Sequence, residues 1–173
     1  MFLSSSEISS RLVSDLRLGL PIILYDSKTY FLTAAIETLH SEKLDKIMDI
    51  AKNQKFEIAI TNRRAKVLNV RIYNESVTRI AIGEKVSIQL LQAIADPSKD
   101  LDYPLKGPFQ SERNGKFNVA SVSLSLCKKA RLLPASILVN IPKSIRDELV
   151  SSQISESDIC LLYTSDAADD FVR

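Results

Sequence analysis

The 173-residue chain contains few of the residues on which common catalytic and cofactor sites depend: four glycines, two cysteines, one histidine and no tryptophan. Cys127 and Cys160 are far apart in the sequence, and together with His40 they are too few to form a four-ligand zinc site of the usual Cys/His kind. A single histidine leaves little room for a Ser-His-Asp or Cys-His catalytic unit. Neither GxGxxG nor GxxxxGK[ST] occurs, so phosphate-binding loops of these two types are excluded.

The remaining composition is that of an ordinary globular domain. Hydrophobic residues make up 45% of the chain and charged residues 25%, which is enough apolar material for a sizeable core. The formal net charge of +2 is too small to indicate nucleic-acid binding, and we do not expect nucleic acid as a partner. The charge is unevenly distributed, because the segment from Ser155 onward contains five acidic residues and one basic residue.

The sequence also lacks targeting and membrane signals. Its start, MFLSSSEISSRL, has no basic region followed by a long apolar run, so we expect no secretory signal. No stretch approaches the 18 or so apolar residues that a membrane-spanning helix needs. Two cysteines without an evident pairing fit a reducing compartment, and we therefore expect a cytoplasmic protein without membrane association.

The hydrophobic pattern alternates between helical and strand periodicity. Its first half predicts a helix from Ser6 to a cap at Gly19, a hairpin over 21–36, a helix capped by Ser41, a strand over Phe56–Ile60 and a short helix capped by Thr61 or Asn62. Its second half predicts strand segments within 70–82, a helix or strand over Val86–Ala95, a helix capped by Asn118, a strand over Ser136–Ile141 and a short helix over 143–151. Residues 96–116 form the longest irregular segment. This alternation predicts a mixed α/β domain of the α+β class, a layered sheet with helices.

The residues themselves give only weak candidates for a binding site. Arg63 and Arg64 lie at a predicted strand-to-helix junction, a place where anions bind, although a solvated helix face explains them as well. Lys116 is a third candidate for contact with a phosphorylated ligand. The acidic residues are scattered, and no pair has a spacing that indicates a metal site or an acid/base dyad. We therefore predict no catalytic residue and no metal ligand in this chain.

Several short stretches, in consistent order, resemble one known family. They are DLR and GLPIIL near the start, ADP and PLKGPF in the irregular segment, and VASVSL and KARLLPA in and after the late helix. Over about residues 10–160 the chain resembles the N-terminal region of GTP cyclohydrolase II from some proteobacteria. That region in turn resembles 3,4-dihydroxy-2-butanone 4-phosphate synthase, another enzyme of riboflavin biosynthesis. The resemblance implies the single-domain fold of that synthase.

The chain departs from the active synthase in two places. An active synthase has an acidic, metal-binding loop in its first hairpin, whereas this chain has only Asp26-Ser27-Lys28-Thr29 there. The synthase also has a Gly-His-Thr-Glu type motif entering its late helix, whereas the matching stretch here is Gly115-Lys116-Phe117-Asn118. Both changes remove groups that metal-assisted proton transfer on a sugar phosphate needs. The resemblance therefore implies a degenerate, non-catalytic domain.

The same resemblance implies a particular organisation. We expect a synthase-like domain over residues 1–154, followed by a linker start and tail over 155–173. From Cys160 the letters CLLYTSDAADDFVR resemble translated adapter read-through at the end of a truncated gene, the alternative being a native acidic C-terminus. The zinc-dependent cyclohydrolase domain would follow in the parent protein, so zinc is expected there and no cofactor in this chain.

The implied role is structural, with a second copy of the chain and the absent cyclohydrolase domain as partners. One alternative is a module of the same fold that binds a phosphorylated ligand or a nucleotide through Arg63, Arg64 or Lys116. Another is a nucleic-acid or nucleotide-binding module of the related fold that includes threonylcarbamoyl-AMP synthases. The chain lacks the lysine- and serine-bearing nucleotide motifs of that family, which argues against the last possibility.

Overall fold

Seven strands form one sheet, with helices on both of its faces. The structure is a computed structural model that describes residues 2–83, 86–104, 107–115 and 117–162. The helices are α1 (Ser5–Arg17), α2 (Ser41–Ile50), α3 (Asn62–Val67), α4 (Ile88–Ala95), α5 (Phe117–Lys129) and α6 (Lys143–Ser151), with a 3-10 turn at Pro97–Lys99. The strands are β1 (Ile22–Asp26), β2 (Thr29–Ala35), β3 (Phe56–Thr61), β4 (Val77–Ala81), β5 (Gln110–Ser111), β6 (Ala135–Ile141) and β7 (Glu156–Asp158).

The strand order in the sheet is β5-β4-β3-β6-β2-β1-β7. Neighbouring strands are antiparallel except β1 and β7, which are parallel. The sheet thus places β6, a late strand, between the early strands β2 and β3. Only Ser27 and Lys28 connect β1 to β2, and Ser27 takes a positive φ of 54° to close this tight turn.

Alternating side chains of the sheet supply two separate cores. Ile137 and Val139 of β6 pack with α2, α3 and α4 on one face, which we call the α2 face. Leu138, between them in sequence, packs on the opposite face with α1 and α5, which we call the α5 face. This period of two follows from the pleat of a strand, and it explains why strands buried on both faces are apolar almost throughout.

The structure confirms the predicted fold class and most predicted elements, including the hairpin within 21–36. Two predicted caps are wrong. His40 is the N-cap of α2, without a side-chain hydrogen bond to the helix, and Ser41 is the first helical residue. Asn118 lies inside α5, which already includes Phe117. Of the helix and the strand considered for Val86–Ala95, the helix is correct. Helix α4 begins after Ser87, whose hydroxyl accepts a hydrogen bond from the Leu90 N–H.

The packed domain extends past residue 154. Strand β7 joins the sheet, and Arg146 of α6 forms an ion pair with Glu156 of that strand. Ile159 and Leu162 are buried in the core of the α5 face. Residues 163–173, where most of the predicted tail falls, lie outside the described residues. In the part of the chain that is described, no helix has the length and apolar character needed to cross a bilayer.

Candidate functional site

A cavity of about 290 Å3 lies on the α5 face, at the end of the sheet where β2 and β3 begin and β6 ends. Its walls include Thr29, the first residue of β2 after the β1–β2 turn, and Gly115 from the stretch before α5. These are members of the two sequence stretches that distinguish this chain from an active synthase. The fold therefore brings both departures to one place, and this cavity is the candidate functional site.

The polar floor of the cavity is a buried ion pair between neighbouring strands. Glu57 of β3 and Arg79 of β4 are almost fully buried, and Glu57 Oε2 lies 2.7 Å from Arg79 Nη1. Ala59 is the residue directly opposite Arg79 in the antiparallel register, so Glu57 and Arg79 are diagonal neighbours on the same face of the sheet. Burial of two charges is tolerated here because they neutralise each other and are hydrogen-bonded.

A second cation holds the other oxygen of Glu57. Lys55 Nζ lies 3.1 Å from Glu57 Oε1 and 2.8 Å from Glu112 Oε2. The hydrogen bond to Glu112, followed by that to Glu57, raises the pKa of Lys55, so its ammonium stays charged at neutral pH. Both carboxylate oxygens of Glu57 are thus bound by cations of the chain itself.

Two further contacts hold the guanidinium of Arg79. Its carbon lies 4.7 Å from the centre of the Phe117 ring, at the start of α5, in cation–π geometry. Nη2 donates to the backbone carbonyl of Asn114. Among the described residues, the buried Nε has no hydrogen-bond partner. The guanidinium therefore connects the sheet to the segment that leads into α5.

Gly115 permits this close approach. A Cβ built on Gly115 would lie 2.5 Å from Arg79 Nη2, and the residue has a φ of +122°, which L-amino acids rarely adopt. We expect Gly115→Ala to lower the free energy of unfolding by about 1–3 kcal/mol, measured by urea denaturation. Gly83→Ala is the matched control, because within the described ranges no atom outside its sequence neighbours lies within 4 Å of a Cβ at Gly83. Equal stability of the two variants would contradict the close packing at Gly115.

The donor set does not fit the magnesium site that the fold family implies. Magnesium is held through carboxylates in octahedral geometry. Glu57, the acid on the cavity floor, is bound through both oxygens by Lys55 and Arg79. From the stretch Asp26-Ser27-Lys28-Thr29, the residue in the cavity lining is Thr29, which has no carboxylate. Among the described residues no group of three or more His, Cys, Asp or Glu side chains is placed to hold a metal ion.

The predicted ligand-binding residues lie elsewhere. Arg63 and Arg64 belong to α3, which follows the far end of β3, so the six-residue strand separates them from the cavity by roughly 15–20 Å. Lys116 lies outside the described residues. Ligand binding by any of the three stays a prediction.

Four hydrogen bonds hold the guanidinium of Arg64 within the domain. Its Nε donates to the carbonyl of Ile94 and its Nη2 to that of Ala93, both in the last turn of α4. The two Nη atoms also contact Asp100 in a bidentate pair, at 2.7 and 2.6 Å. A buried guanidinium at a helix C-terminus complements the helix dipole. These contacts give Arg64 a structural role, whereas Arg63 is exposed at the rim of a second cavity of about 300 Å3.

Sequence reasoning missed Glu57 and Arg79, although a signal was present. Each is a charged residue inside an otherwise apolar strand, in FEIAI and VTRIA. Two opposite charges in adjacent buried strands indicate a pair, because a lone buried charge is too costly. The two cysteines differ in burial: Cys160 is exposed, whereas Cys127 is buried, and desolvation raises the pKa of its thiol to about 12.

The architecture matches solved structures of one enzyme family. A 3,4-dihydroxy-2-butanone 4-phosphate synthase in its cation-free form aligns with a TM-score of 0.69 and 11% identity, over 93% of this chain and 97% of that one. The same kind of synthase in complex with two magnesium ions aligns with a TM-score of 0.63 and 11% identity, over 88% and 93%. The chain has the fold of these synthases.

A two-domain synthase from A. baumannii is also similar, with a TM-score of 0.65 and 16% identity over 89% of this chain. The chain spans 56% of the length of that two-domain protein. No family model matches the sequence, and no curated protein matches it significantly. At these identities the likeness establishes the fold alone.

Proposed function

We propose that the chain is a degenerate, non-catalytic synthase-like domain of riboflavin biosynthesis, with a structural and dimerising role. In this proposal it is the N-terminal part of a cytoplasmic GTP cyclohydrolase II, and zinc belongs to the following domain. The resemblance of its sequence stretches to that N-terminal region supports the parentage. An independent sequence of the gene past codon 160 tests it, since an in-frame cysteine-rich zinc motif is expected and its absence would favour a free-standing module.

One observation carries the non-catalytic role: both oxygens of Glu57 are bound by cations of the chain. Metal-assisted proton transfer needs a carboxylate that can bind the metal or accept the proton. Arg79 already neutralises the only buried acid of the cavity within the described residues. The cavity floor is therefore arranged as a packed ion pair.

An activity assay tests this role directly. The chain is incubated with ribulose 5-phosphate and magnesium, with the two-domain A. baumannii synthase assayed in parallel as a positive control. We expect no 3,4-dihydroxy-2-butanone 4-phosphate above the level of a protein-free sample, because the groups that would bind the metal are engaged. Magnesium-dependent product formation by this chain would overturn the proposal.

The alternative is a domain that still binds a phosphorylated ligand. It is supported by the exposed Arg63 beside the second cavity, and by Lys55, a half-exposed cation that lines the first one. Arg64 and Lys116 remain the other predicted contacts. Calorimetric titration with ribulose 5-phosphate and with GTP decides: heats that vary with Arg63→Ala would favour this alternative, and no heat at millimolar ligand would exclude it.

A further inference from the structure

We propose that two copies of this chain associate through one surface, formed by α3 and residues 96–103, which we call the α3 face. The inference rests on the dimerising role proposed above and goes beyond it by identifying the surface. Three features of the described residues carry it: apolar side chains that protrude, a recess beside them, and charges of both signs.

Large apolar side chains are exposed together on this face. The exposed fractions are 94% for Leu101, 64% for Val67 and 44% for Tyr103. They are neighbours in space, because Arg64 on α3 is paired with Asp100, one turn before Val67 and directly before Leu101. Scattered apolar residues on a surface are ordinary, but a group of them marks a contact surface.

A recess lies beside these protruding side chains. The cavity of about 300 Å3 next to α3 has apolar walls from Val67, Ala95, Pro97, Leu133 and Pro134. A contact with two-fold symmetry uses the same surface on both copies, so that surface must carry both the protrusion and the recess that receives it. The α3 face carries both, and Leu101 of one copy has a recess of suitable size on the other.

The α3 face carries charges of both signs, so the basic part of one copy can face the acidic part of another. Helix α3 presents exposed Arg63 and Lys66, while the neighbouring segment carries Asp96 and exposed Asp102 together with a single base, Lys99. A two-fold rotation lets α3 of each copy face the acidic segment of the other. A partner of one charge sign would leave one of the two sets opposite like charges, which favours a second copy over an unrelated protein.

Light scattering with apolar-to-charged variants tests the surface. We expect the full chain to show about twice its 19.3 kDa mass at tens of micromolar. Val67→Glu combined with Leu101→Glu should raise the dissociation constant of the dimer at least about a hundredfold, since a central apolar pair is replaced by charge. Both residues are exposed, so the variant should keep the wild-type circular dichroism.

Leu3→Glu is the matched control, because Leu3 is also an exposed apolar residue, but beside α6 near β7. It should leave the dimer unchanged. A monomeric wild type would overturn the dimerising role itself. A dimeric wild type with an equally dimeric Val67/Leu101 variant would overturn this surface alone and leave dimerisation in place.

Charge reversal adds a test that a loss of folding cannot imitate. Arg63→Glu with Lys66→Glu should weaken the dimer at least about tenfold, and Asp102→Lys should weaken it as well. The three changes combined in one chain should restore most of the lost affinity, since each copy then presents the reversed charges to the other. If the triple variant instead dissociates more readily than either partial variant, the two-fold contact through this face is contradicted.

Discussion

Arg79→Ala is expected to lower the free energy of unfolding by about 3–5 kcal/mol, the largest effect of a single substitution outside the apolar core. Glu57 would keep its buried carboxylate with only Lys55 as a cationic partner, and that lysine side chain is half exposed. The cation–π contact with Phe117 and the hydrogen bond to Asn114 would be lost as well. Urea denaturation followed by circular dichroism measures the change.

A double replacement separates the ion pair from its packing. Glu57→Leu combined with Arg79→Met keeps the volume and removes both charges, so its stability should return to within about 1 kcal/mol of the wild type. A double variant as unstable as Arg79→Ala would show that the guanidinium contributes mainly through its other contacts. A single Arg79→Ala variant as stable as the wild type would contradict the buried pair altogether.

Arg64→Ala is expected to cost about 3 kcal/mol, the second large effect. The substitution removes charge-assisted hydrogen bonds to the end of α4 and the pair with Asp100, which is partly exposed and contributes less than a fully buried partner would. The α4 terminus and the segment that follows it should loosen together. Hydrogen exchange of the amides over 93–103 should therefore accelerate before the rest of the domain does.

Arg63→Ala is the control, since Arg63 neighbours Arg64 on the same helix but is exposed. Its stability should lie within about 0.5 kcal/mol of the wild type. If Arg64→Ala were as stable as Arg63→Ala, the structural role of Arg64 would be wrong, and its predicted role as a ligand contact would gain support.

The fold was predictable because its signals are local. The apolar run Ile22–Leu24, the short turn and the apolar return strand, all within one short stretch of sequence, identify the hairpin. The N-cap of α3 was also predictable from the sequence. The hydroxyl of Thr61 accepts a hydrogen bond from the backbone N–H of Arg64, three residues later. Strand β7 was missed because its three residues, Glu-Ser-Asp, have no apolar pattern and depend on pairing with β1.

The site was harder to predict because its contacts are distant in sequence. Glu57 and Arg79 are 22 residues apart and meet only through the register of β3 and β4. The sequence predicted that Arg64 binds an anion, because a helix start is recognisable from local residues. The carbonyls that accept its hydrogen bonds lie on α4, about 30 residues later in the sequence. A local pattern can thus identify a cap, but it cannot show which buried acceptor already occupies a charged side chain.

Titration of Mn2+ as a magnesium analogue tests most directly whether the Glu57 carboxylate can bind a metal ion. The electron paramagnetic resonance signal of the free ion is recorded while the full chain is added in excess, with the synthase whose structure contains two magnesium ions as the binding control. Because Lys55 and Arg79 hold both oxygens of Glu57, the free-ion signal should stay unchanged at sub-millimolar protein. A stoichiometric loss of that signal, reversed by Glu57→Gln, would contradict the claim that Lys55 and Arg79 keep Glu57 from binding a metal ion.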